Sequence, residues 1–168
     1  LTGEPAEDAA WPGVDASLDS PRLEAEEDLV RDLVEDVREV VDVTGTDPDV
    51  VRVYVAADWK YRAFDEIVET GPDIGAVMGR LMQHEGLRDR GDAVSDLVGD
   101  LVEYVREHPE DRMELLRDVD EYDVYEAALP FLEREFDAEV EVDPAGEAAA
   151  ADPEGKAGRA IPFRPAIH

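Results

Sequence analysis

The chain has 168 residues, with 45 Asp and Glu set against 16 Lys and Arg, a formal charge of −29. Self-repulsion on that scale opposes a compact state in dilute buffer. Yet Leu, Ile, Val and Phe supply a quarter of the residues, above the roughly 20% below which a charged chain stays unfolded, so disorder of the whole chain is disfavoured. The absence of Cys removes disulfides and thiolate metal sites, and no apolar run approaches the roughly 20 residues of a membrane span.

Residues 1–20 are rich in Pro, Gly and small side chains without a sustained period. They read as an irregular lead-in in which Trp11-Pro12 docks on something. Ser20-Pro21 then offers an N-cap and a proline at the first helical position, with acids in the next turn. Leu29, Val30, Leu33, Val34, Val37, Val40 and Val41 recur at steps of three and four, which predicts an amphipathic helix ending near Gly45. Val50–Ala56 is β-branched and aromatic and reads as a strand. A helix begins at Asp58-Trp59 and closes at Gly71-Pro72. Further helices are predicted over 73–85, 92–107, 110–118 and 123–136, the second with a stripe of Val94, Leu97, Val98, Leu101, Val102 and Val105. Residues 138–142 alternate like a half-buried strand. The expected fold class is α/β (α+β), a helix-rich domain over 21–143 with a small two- or three-stranded sheet. A flexible linker follows over 144–155 and a basic extended tail over 156–168.

Enzyme motifs are absent. The chain has no Gly-x-Gly-x-x-Gly, no Walker-type phosphate loop and no Gly-x-Ser-x-Gly. His84 and His108 fall near predicted helix ends, where a cation suits the dipole, and they make no metal set. Among 45 acids no carboxylate pair stands out as a general acid and base. No catalytic residue and no cofactor is assigned to this chain.

Charge distribution carries more. Residues 156–168 hold Lys156, Arg159, Arg164 and His168 and no acid, whereas the rest of the chain sets 45 acids against 13 bases. Two readings stay open here. The arginines present planar forks to phosphate, or the tail is a terminal strand that joins the sheet and turns its arginines toward carboxylates. A second spot, Trp59-Lys60-Tyr61-Arg62, has one of only two lysines beside two aromatics; such residues stack on unpaired bases or pack helices. Arg80, His84, Arg88 and Arg90 form a looser third cluster.

Three segments resemble the C-terminal part of archaeal-type leucyl-tRNA synthetases. Arg159-Ala-Ile-Pro-Phe-Arg-Pro-Ala-Ile167 looks like an Arg-Ala-x-Pro-x-x-Pro-Ala-Ile signature near the end of those enzymes. Tyr54–Lys60 (YVAADWK) is similar to a strand-to-helix passage after their anticodon-binding helical bundle, and Trp11-Pro12-x-x-Asp15 to the segment leaving that bundle. Dispersed acids, almost no Lys, and Val and Ala as the main apolar residues also look like proteins of extreme halophiles, in which molar salt screens surface repulsion.

The resemblance implies a cytoplasmic, archaeal synthetase fragment that contacts leucine tRNA at its long variable arm and works beside the remainder of the synthetase. No membrane or DNA partner is expected. It nominates Lys156, Arg159, Arg164, Ile167 and His168 as RNA-binding residues, with Lys60 as a weaker addition, and has Pro162 and Pro165 keep the tail extended. ATP and Mg would serve the rest of the enzyme, a class I ligase, whose His-x-Gly-His and Lys-Met-Ser-Lys-Ser-like elements do not occur here. The family usually continues a residue or two past the Pro-Ala-Ile match, whereas this chain stops at His168, which implies weaker binding if those residues touch RNA. The alternative is an acidic protein-interaction module that binds no RNA.

Overall fold

A computed structural model describes residues 21–144, 152 and 154–168. The irregular lead-in with Trp11-Pro12, and most of the expected linker, lie outside the described residues. In chain order the elements are α1 (Pro21–Thr44), β1 (Val50–Val55), α2 (Asp58–Thr70), α3 (Ile74–Leu81), α4 (Glu85–Arg88), α5 (Gly91–Glu107), α6 (Glu110–Leu116), α7 (Glu121–Phe136), β2 (Glu139–Pro144) and β3 (Ala166–Ile167). The expected helix-rich fold with a small sheet is the one observed.

The helices form where the apolar period predicts them. On α1 the buried set is Ala25, Leu29, Leu33, Val34 and Val37, one face at helical spacing. On α5 Val94, Leu97, Val98, Leu101 and Val102 are all buried. Helix α2 packs on α3 and α5, while α1 packs on α6 and α7, so one core runs through the molecule. The helix predicted over 73–85 ends earlier, at Leu81, and a separate short helix begins at Glu85. Leu81 and Leu87 are both buried, and six residues on one continuous helix would set them about 120° apart rather than on one face. The chain breaks between them, with the Arg88 Nε donating to the Met82 carbonyl at 2.6 Å.

The sheet has strand order β2-β1-β3. Strands β1 and β2 are parallel, Val51 beside Val140 and Val53 beside Val142, and the crossover between them contains α2 to α7. Val51, Val53 and Val55 face the main core. The alternate face of β1 carries Arg52, paired with Glu141, and Tyr54, which is fully buried against Ala157 with Ala166 beside it. The C-terminal segment therefore covers a face of β1 that would otherwise expose an aromatic ring. Strand β3 completes the cover, antiparallel to β1, and His168 and Arg52 exchange two backbone hydrogen bonds of 2.9 and 2.7 Å. The tail is thus extended only at its last residues. Upstream of β3 it turns twice.

Candidate nucleic-acid interface

The start of the tail is held by Asp152, whose carboxylate accepts the Lys156 and Ala157 N–H groups at 2.9 and 2.7 Å. That nucleates a 3-10 turn over Ala157–Arg159 and draws the Asp152 pKa down despite an opposing desolvation cost, the larger single influence. Next, Ile161 and Arg164 bond to each other across a tight turn. Pro162 stands at its second position and Phe163, at φ 62°, at its third, which is the type II pattern. Glycine or asparagine is usual there, and a bulky side chain at positive φ is strained. Phe163 is retained because its ring is buried, edge-on to Phe64 at 4.9 Å and to Tyr61 at 5.7 Å.

Two side chains from the helical body hold this backbone. Lys60, in the first turn of α2, is buried and donates from Nζ to the carbonyls of Gly158 (2.8 Å) and Ala160 (2.5 Å). Burial lowers its pKa, with Asp100 acting in the opposite sense. Glu121, in the first turn of α7, is 1% exposed and accepts the Phe163 N–H at 2.7 Å and the Tyr61 hydroxyl at 2.6 Å. Desolvation pushes its pKa up to about 7, against the lowering effect of those hydrogen bonds. Lys60 is thus turned inward, away from any contact surface.

The outer side of the tail faces a cleft of about 670 Å³. Lys156, Arg159, Arg164 and Ile167 line one wall, and Asp100, Glu103, Tyr104 and Glu107 of α5 line the other. Lys156 pairs with Glu154 at 3.1 Å, an exposed and therefore weak contact. Arg159 and Arg164 are exposed and make no side-chain hydrogen bond or ion pair among the described residues. The charge of Arg164 does reach Asp36, where it opposes the raising effect of burial on that carboxyl. The end of the tail joins the sheet, as the strand reading expects, and its arginines face the α5 acids across the cleft without forming an ion pair among the described residues.

Of the six nominated residues, four meet at the cleft. His168 lies beside it, in an apolar hollow with Val37, Val40, Val51 and Ile167; its Nδ1 is shielded and has no hydrogen-bond partner among the described residues. Lys60 sits behind the tail. Sequence reasoning missed Glu121 and the acids of α5, because nothing local separates them from the other carboxylates.

Several residues of the remaining clusters are engaged internally. Arg90 stacks over Trp59 at 5.5 Å, Tyr61 bonds Glu121, and Arg80 pairs with Glu66 at 2.8 Å. His84 precedes α4, and His108 closes α5 with Nδ1 2.7 Å from the Tyr104 carbonyl. Among the described residues, no three His, Asp or Glu are grouped to hold a metal ion, and no helix is long and apolar enough to cross a membrane.

Nearly the whole chain is similar to one segment of archaeal aminoacyl-tRNA ligases. The relatives are leucine–tRNA ligases. Identity is 32% over 171 residues with that of Methanosarcina barkeri, covering 98% of this chain and 18% of the relative. It is 33% over 165 residues with that of Methanopyrus kandleri, covering 94% and 16%, and 31% over 160 residues with that of Pyrococcus furiosus, covering 95% and 15%. The chain thus spans less than a fifth of the length of the curated relatives it matches. No family model matches it.

Proposed function

We propose that this chain is the tRNA-contacting C-terminal part of a leucine–tRNA ligase, holding the long variable arm of leucine tRNA beside the remainder of the synthetase. The contact set is Lys156, Arg159, Arg164, Ile167 and His168, and Lys60 serves from behind, through the tail. One observation carries this reading. Arg159 and Arg164 stand exposed on an anchored backbone and make no side-chain hydrogen bond or close ion pair among the described residues, in a chain of 45 acids. Such guanidiniums are available for bidentate bonds to phosphate. The similarity to a segment of leucine–tRNA ligases supports the identity of the RNA.

Activation of leucine with ATP and Mg belongs, on this reading, to the rest of the enzyme, and the setting is a cytoplasm at high salt. A charge of −29 repels RNA in dilute buffer, while a Debye length of about 3 Å at 1 M salt removes that repulsion along with most of the counterion-release gain. Affinity then rests on short hydrogen bonds, shape and stacking.

The test is binding to a long-variable-arm leucine tRNA and to a short-armed tRNA in about 2 M KCl, where repulsion is screened. Preference for the long arm is expected. Equal affinity for both, with helical content intact, overturns the reading and favours the acidic interaction module. The observation on that module's side is the apolar cleft between α1 and α7, where Val30 and the 45% exposed Phe131 lie open.

A further inference from the structure

Two buried polar side chains, an ammonium and a carboxyl group, hold the tail, and their points of attachment are not scattered. Lys60 Nζ takes the carbonyls of Gly158 and Ala160, the residues immediately before and after Arg159. Glu121 takes the N–H of Phe163, the residue immediately before Arg164. Between and around these pins, Ala157, Ala160, Ile161 and Phe163 are buried while Arg159 and Arg164 are exposed. Each arginine therefore leaves the surface from a backbone atom fixed within one residue of its own Cα.

Apolar packing alone does not account for this choice of residues. Burying an ammonium and a carboxylate is expensive, and well-packed apolar side chains of similar size often serve stability as well or better. A methyl or methylene cannot fix a carbonyl direction, however, whereas an ammonium has three donors and a carboxylate two acceptors with defined geometry. The strain at Phe163, φ 62°, points the same way: the turn adopts a conformation its sequence disfavours, and the Glu121 bond is what the turn's own amide makes there.

We propose that Lys60 and Glu121 are positioning residues for RNA binding, a clamp that sets the spacing and direction of Arg159 and Arg164 across the cleft. This rests on the reading of the tail arginines as RNA contacts. Rigid placement of that kind lowers the ordering cost of binding, because the guanidiniums have less conformational freedom to lose. Glu121 also receives the Tyr61 hydroxyl, and Tyr61 packs on Phe163, so the same carboxylate fixes both the turn's backbone and the ring beneath it.

The experiment is a set of double-mutant cycles on the 168-residue chain, read by affinity for a long-variable-arm leucine tRNA in about 2 M KCl, where surface charge is screened. Amide hydrogen exchange at Ala160, Phe163 and Arg164 is the second readout. Lys60→Met and Glu121→Ala are each expected to weaken binding about tenfold and to speed exchange at the tail, with α5 amides unchanged. Glu121→Gln keeps an oxygen acceptor for the Phe163 N–H and is expected to restore affinity to within about threefold. In an Arg159→Gln, Arg164→Gln background, the clamp variants are expected to cause no further loss, since coupled residues are non-additive. Should Glu121→Ala not fold, the Lys60→Met cycle decides alone. Wild-type affinity in Lys60→Met despite faster tail exchange, or an equal further loss in the arginine-less background, overturns the clamp. If the arginine variants themselves bind as wild type, the RNA-contact reading has failed instead.

Discussion

Arg112 on α6 and Arg164 on the tail are side chains of one kind placed in opposite circumstances. Arg112 meets Asp32 at 2.6 Å across two helices. In the same body Arg38 pairs with Glu135, and Arg117 with Glu69 and Asp65. In the tail the acid-free stretch from Lys156 to His168 leaves Arg159 and Arg164 exposed, with no such pair among the described residues. The body uses cations to offset its own carboxylates; the tail holds them out. The difference does not come from disorder, since the tail backbone is fixed by Lys60, Glu121 and Asp152. An overall charge of −29 therefore says little about where a polyanion could bind.

The largest effect expected from breaking this comparison falls in the body. Leu101→Ala removes a fully buried side chain and is expected to lower unfolding free energy by about 4 kcal/mol in a denaturant titration, from the lost transfer and cavity energy. Next comes charge reversal in the tail. Arg159→Glu with Arg164→Glu is expected to weaken tRNA binding about a hundredfold, two charge-assisted bonds at about 1.5 kcal/mol each, with far-ultraviolet circular dichroism unchanged. A loss of helix content would return the tail arginines to a structural role.

A pH dependence links the two regions. The folded state raises the Glu121 carboxyl to about 7 from an ordinary value of 4.5, so the fold favours its protonated form. That contribution to stability is fully present below about pH 4.5, declines as pH rises to about 7, and is flat beyond. Subtracting the pH–stability profile of Glu121→Gln from that of the parent isolates the effect, expected at about 3 kcal/mol across the window. A difference that grows in the opposite direction contradicts the burial argument. The smallest effect belongs to the exposed pair Arg22–Glu26: Arg22→Gln is expected to change stability by less than about 0.5 kcal/mol in the same titration.

Much of this fold is legible in the sequence because its signals are local. The α5 stripe from Val94 to Val102, the β-branched run of β1 and the Pro21 start of α1 each declare themselves within a few residues. The break between α3 and α4 did not, because the period of Leu81 and Leu87 makes sense only once the core they share is known. Parallel pairing of β1 with β2 is hidden for a similar reason: its partners are separated by the whole helical body. At the candidate site, the tail's charge anomaly made Arg159 and Arg164 visible. Glu121 was invisible, because its meaning lies in an amide 42 residues away in sequence. Lys60 was noticed for its charge and its aromatic neighbours, while its bonds reach carbonyls 98 and 100 residues on.

The central claim is that the outer side of the tail lies against the variable arm of leucine tRNA, and proximity can be measured directly. The chain has no Cys, so one introduced thiol is a unique attachment point. Gly158 is exposed beside Arg159, and a Cβ added there meets nothing within 4 Å; Gly86, on α4, is equally open and serves as the control. With an iron chelate tethered at Gly158→Cys, radical cleavage of bound leucine tRNA is expected to concentrate in the long variable arm, and the Gly86→Cys conjugate is expected to leave that arm uncut. Cleavage of the same pattern from both positions, or from Gly158→Cys anywhere but the arm, would contradict the account.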